Sequence, residues 1–145
     1  MRTVFRFLFL IPLGFVAACF AAGFALLWPF LDLPPGSLGD PFVIAQLTVG
    51  FMTQCAQVGT AALVPWGLFM VASEIAGWRS LLLHAGLGAL GGVVAGRMTA
   101  GAPSSVETAL VVAGLAFGLV YWLVAGHGAG LWRRRAMSRN EAAPT

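Results

Sequence analysis

Residues 84–96 read HAGLGALGGVVAG: five glycines in thirteen positions, and no charge between His84 and Arg97. In water such a run is a poor helix, because each glycine loses backbone entropy that alanine would not. In lipid the balance changes, since a backbone that fails to pair its own N–H and C=O groups costs more than any helix. The spacing is informative. Ser80, His84, Gly88, Gly92 and Gly96 recur every fourth residue, which places them on one helical stripe. Gly114, Gly118, Trp122, Gly126 and Gly130 repeat the same spacing further on, and Gly14, Ala18 and Ala22 do so near the start. Small residues four apart let helix backbones approach closely. The expectation is a packing seam between the third and fourth helices through Gly88, Gly92, Gly96, Gly114 and Gly118, with close approach to a flat cofactor or a lipid as the alternative use. The stretch Gly86-x-Gly88-x-x-Gly91 matches a dinucleotide-binding pattern literally, but no strand precedes it, so the match carries no meaning.

The rest of the 145-residue chain agrees with a lipid environment. It is 59% hydrophobic and 9% charged, where a soluble domain carries about 25% charge. Uncharged apolar runs separate into four, giving spans at about residues 7–31, 42–73, 80–98 and 106–131 of a transmembrane domain over residues 1–132, followed by an Arg-rich tail at 133–145. The expected fold is all-α: an antiparallel four-helix bundle in a membrane. The second run is too long for a 30 Å hydrocarbon core, so it tilts strongly or leaves the membrane at one end, with a kink expected at Pro65-Trp66-Gly67. Asp32–Pro41, with three prolines, is a connection, and Ser104-x-x-Glu107 has the form of a capping box opening the fourth helix.

All eight basic residues are arginine. Arg2 and Arg6 precede the first span, Arg79 follows the second, and Arg133, Arg134, Arg135 and Arg139 follow the fourth, while Asp32 and Asp40 lie between spans one and two. Arg97 alone falls on the other side. The positive-inside rule then puts both termini in the cytoplasm, with Trp78 and Trp132 in an inner aromatic belt and Trp28 in an outer one. The expected location is the bacterial inner membrane. The net charge of +3 is explained by orientation and by docking of the tail's arginines on anionic lipid or a partner, so no nucleic acid is expected. Val16-Ala-Ala-Cys19 resembles a lipoprotein cleavage site, but the residues after Cys19 stay apolar, and a four-span reading keeps the segment. Cys19 and Cys55 form no CxxC pair and read as buried free thiols.

Two groups of residues could carry chemistry. In the second span Gln46, Gly50, Thr53, Gln57 and Thr60 fall on a narrow arc with Gln54 at its edge. Three glutamines are expensive against lipid, so the arc should face protein or water. Interhelical hydrogen bonds, at about 0.6 kcal/mol each, are one use, and a pathway for a small solute is the other. The second group is Glu74, His84 and His127, which the topology brings near the cytoplasmic face and which could hold haem or a metal. Arg97 and Glu107 flank an outer loop and could pair there. No GxSxG, phosphate-binding loop or HExxH occurs, so no enzyme activity and no cofactor are expected. The chain has the size of small four-span multidrug transporters and fluoride channels. However, it lacks an acid in the first span and has no Phe- and Thr-rich filter motif. The reading that results is an accessory or assembly subunit of a larger membrane complex, in contact with membrane lipids and with other membrane subunits or copies of itself. A homo-oligomeric small-solute channel or transporter and a haem- or metal-binding membrane anchor are the alternatives.

Overall fold

The computed structural model describes residues 6–99, 101 and 103–128. These residues form four helices of spanning length joined by turns, with no strand among them. A π-type turn, Arg6–Leu10, leads into α1 (Ile11–Leu27), followed by α2 (Pro41–Ala76), α3 (Leu81–Met98) and α4 (Ser104–Val124). Each of the four helical segments is long and apolar enough to cross a membrane, which is compatible with a multi-pass membrane protein.

Local chemistry sets the boundaries. Asp40 caps α2, its Oδ1 accepting from the Phe42 N–H at 2.9 Å, and Pro41 occupies the first turn, where no donor is needed. Gly77 closes α2 at φ 71°, and the Trp78 N–H reaches back to the Ser73 carbonyl at 3.0 Å. That is the left-handed helix stop a glycine makes without steric cost. The capping box expected at Ser104 is not formed: Pro103 takes the cap position, and its carbonyl accepts from both Val106 and Glu107. With φ already set by its ring, Pro103 starts the helix one residue early and leaves Ser104 inside the first turn. α2 runs as one uninterrupted helix through Pro65, with no break at Pro65-Trp66-Gly67. α4 ends at Val124, and a short 3-10 turn, Gly126–Gly128, follows it.

α4 is the hub. It packs most extensively on α3 and next on α1, while α2 packs on α1. The partners run antiparallel: Gly88 lies against Gly114, Gly92 against Leu110, and Gly118 against His84. The core lies between α1 and α4, where Ala18, Ala22, Ala113 and Ala125 bring the helices close and Phe117 and Tyr121 fill the space beside them. On the α1–α2 side, Gly59 lies under the Cys19 sulfur and Gly23 under that of Cys55. Both thiols are free and buried in this seam. α2 and α3 flank a cleft, with Phe69 of α2 meeting His84 of α3 at one end of it.

Candidate functional site

The cleft between α2 and α3 has a volume of about 650 Å³. Gln54, Gln57, Ala61 and Pro65 form its α2 wall, Leu87, Gly91, Val94 and Met98 its α3 wall, and Ala113 and Phe117 of α4 part of its floor. Apart from the two carboxamides the lining is almost wholly apolar. Its size is that of a small-molecule site, about 300–1,000 Å³.

One edge of the polar arc of α2, Gln54 and Gln57, borders this cleft. Gln46, Thr53, Gln57 and Thr60 are exposed, and Gln54 and Gly50 are half-buried. The threonines satisfy themselves: Thr53 donates to the Val49 carbonyl at 2.8 Å, and Thr60 to those of Ala56 and Gln57 at 3.0 and 2.9 Å. The carboxamides differ. No hydrogen bond joins the side-chain carboxamides of Gln46, Gln54 or Gln57 to another described residue. The structure therefore gathers the arc on one face and leaves it uncovered by the chain's own helices.

The glycines of α3 and α4 meet backbone to backbone. A Cβ at Gly88 would overlap the Gly114 carbonyl, one at Gly114 the Gly88 carbonyl, one at Gly92 the Leu110 carbonyl, and one at Gly118 the His84 carbonyl. Gly96 is less confined, since a Cβ there would lie 3.6 Å from the Glu107 side chain. A contact this close favours Cα–H donation to the facing carbonyls.

His84 is fully buried, and Glu74 is 4% exposed. The His84 Nδ1 lies 2.9 Å from the Ser80 carbonyl. A carbonyl only accepts, so Nδ1 carries the proton and Nε2 the lone pair. That lone pair has no hydrogen-bond partner among the described residues. Phe69 meets the His84 ring edge-on at 5.0 Å, Tyr121 stacks on it at 5.9 Å, and Gly126 provides the room, since a Cβ there would lie 2.9 Å from Nε2. His127 is exposed in the turn after α4, its Nδ1 3.3 Å from the Trp122 carbonyl. Glu74, His84 and His127 do not assemble into a ligand group, and no metal-holding cluster of three such residues occurs among the described residues. Arg97 and Glu107 share one recess near Gly96 without an ion pair between them. Arg133, Arg134, Arg135 and Arg139, the expected lipid or partner contacts, lie outside the described residues, as does Trp132.

The sequence did not single out the aromatic cluster that holds α2 in place. Trp66 meets Phe117 edge-on at 4.9 Å and Tyr121 at 5.5 Å, and it packs on Phe69 at 5.0 Å. Its indole N–H is buried with no acceptor among the described residues. Trp122 Nε1 donates to the Arg79 carbonyl at 2.7 Å and so ties α4 to the turn between α2 and α3. The signal that would have found these residues is the i, i+3 pair Trp66–Phe69 and the i, i+4 pair Phe117–Tyr121, each presenting two rings on one face.

No protein family, no curated protein and no solved structure matches this chain.

Proposed function

We propose that this is a multi-pass protein of the bacterial inner membrane, with both termini cytoplasmic, and that it acts as an accessory or assembly subunit of a larger membrane complex. The observation that carries this reading is the uncovered arc of α2. Three carboxamides on a spanning helix are costly against hydrocarbon, and helix–helix hydrogen bonding is the common way to satisfy them. The same helix has the least covered surface: 11% of its most apolar window is buried, against 28% in each of the other three. The test is a tagged purification in mild detergent with the native mass measured. The expected result is other membrane subunits at fixed stoichiometry, lost in a Gln46→Leu, Gln57→Leu double variant. A wild-type chain that runs as a lone monomer in detergent and in native membranes would sink the reading.

A second reading rests on the cleft. Gln54 and Gln57 line it, which suits passage or capture of a small neutral solute within the bilayer. Flux in proteoliposomes that falls in Gln57→Leu would favour it, and absence of flux would remove it.

A further inference from the structure

The outward face of α2 carries a regularity longer than its polar arc. Gln46, Gly50, Thr53, Gln57 and Thr60 are separated by four, three, four and three residues, and the alternation continues through Val64, Gly67 and Val71. None of the eight is buried in the chain, with Gln57 also bordering the cleft at the edge of the seam, whereas Cys55, Trp66 and Ser73 hold the opposite face against the other helices. A spacing that averages about 3.5 residues is the repeat of a left-handed helix pair, in which alternate positions form one continuous seam. Pro65, the residue least suited to a helix interior, lies off the seam.

Two glycines strengthen the pattern independently. A Cβ on Gly50 or Gly67 would meet nothing within 4 Å. Glycine costs helix stability and gains nothing here from packing inside the chain. Its value on such a face is close approach of a helix from outside.

We propose that the seam pairs with the same seam of a second copy of this chain, forming a parallel, two-fold symmetric α2–α2 dimer. Every copy inserts with the same orientation, so identical helices meet in register at equal depth. Carboxamides both donate and accept, so Gln46 and Gln57 each face a matching group, while Thr53 and Thr60, whose protons go to their own helix carbonyls, keep lone pairs that accept from a facing carboxamide. A different partner would need polar side chains at these same depths, whereas a second copy has them by construction. The proposal rests on the reading above, that protein covers the outward face of α2, and names the first protein that does so.

Single cysteines introduced along α2 in native membranes test it, with copper phenanthroline and oxygen as oxidant. The parent chain is the control, since Cys19 and Cys55 are buried in the α1–α2 seam. Thr53→Cys, Gln57→Cys and Thr60→Cys should form disulfide-linked homodimers about tenfold more readily than Ala45→Cys and Met52→Cys, which are exposed on the flank of the same helix. Adding Gly50→Leu to Gln57→Cys should lower the yield about tenfold by holding the helices apart, and it meets nothing within its own chain. Homodimers formed equally at seam and flank positions, or insensitivity to Gly50→Leu, would overturn the proposal. Cross-links at the seam to a different protein alone would overturn the second copy while leaving the accessory-subunit reading in place. No seam-specific cross-link to any protein would end both.

Discussion

α3 meets α4 through backbone, and α2 meets α3 and α4 through the ends of side chains, although Gly23 and Gly59 bring it close to α1. In the first contact Gly88, Gly92, Gly114 and Gly118 leave no room even for a methyl group. In the second, Trp66 and Phe69 reach across to Phe117, Tyr121 and His84 with ring centroids 4.9–5.5 Å apart, and an open cleft remains beside them. Helices that touch by backbone have one arrangement, because a small shift becomes a hard overlap. Helices held by ring edges keep neighbouring surface free. The first kind of contact builds a fixed pair, and the second leaves a helix with an unused face.

The largest expected effect tests the hard contact. Gly88→Leu or Gly114→Leu forces a side chain into a facing carbonyl and should destabilise the fold by about 3 kcal/mol or more. Gly91 lies on the same helix, but a Cβ there meets nothing, so Gly91→Ala should change stability by less than about 0.5 kcal/mol. Unfolding titrations in mixed micelles with increasing dodecyl sulfate would read both. Equal losses at Gly88 and Gly91 would mean that helix propensity, and not the seam, sets the cost.

Next is the aromatic bridge. Trp66→Ala removes the ring that carries α2 onto α4 and should cost about 2 kcal/mol. This is below the 3–5 kcal/mol usual for a soluble core, because the solvent-transfer part of that penalty falls away in lipid. The cleft should widen with it, which a spin-label distance between α2 and α3 would report. If Trp66→Ala costs as much as Gly88→Leu, the two contacts are equally rigid and the contrast fails. Smaller again is Trp122→Phe. It removes the 2.7 Å hydrogen bond to the Arg79 carbonyl and should cost about 1 kcal/mol. Amide exchange at the Gly77–Ser80 turn should rise in parallel.

These two contacts differ in how far they can be read from the amino acids. A glycine seam restricts residue type at a fixed interval, so the fourfold spacing from Ser80 to Gly96 and from Gly114 onward stands out in any apolar chain. The four spans are legible for the same kind of reason, since charge is almost confined to the connections. A ring contact restricts much less. The chain has eleven phenylalanines and five tryptophans, and five of the nine phenylalanines with described side chains are exposed, such as Phe42 at 74%. Trp66 has Phe69 three residues on and Trp28 has Phe24 four residues back, so ring pairing alone does not tell the buried pair from the exposed one. The capping box failed because Pro103 enters the helix with less backbone rearrangement than Ser104 would need. At Pro65 the ring removes a backbone donor and clashes with the preceding turn, which is why a kink is expected there, and the helix nevertheless continues through it. The helix has 36 residues, and its other bonds carry it through. For the polar arc, its grouping on one face was legible, but its direction was not. An arc facing its own bundle and one facing outward have the same spacing, and the choice depends on where Cys55 and Trp66 are buried.

The smallest effect on the fold separates the two regions most clearly. Gln57 is exposed, and its carboxamide has no hydrogen bond to a described residue. Gln57→Leu therefore removes no contact of the folded chain, and in hydrocarbon it removes a polar group that lipid does not welcome. Its unfolding free energy should stay within about 0.5 kcal/mol of the parent, or rise slightly. On the proposed α2–α2 pairing its association should weaken instead, because interhelical hydrogen bonds of this kind contribute about 0.6 kcal/mol each. Gly88→Leu predicts the opposite pairing, a large loss of fold with association failing only because the fold has failed. Measuring unfolding and native mass on both variants gives four numbers. If Gln57→Leu loses stability and keeps its assembly, the arc belongs to the fold, and the outward-facing reading of α2 fails.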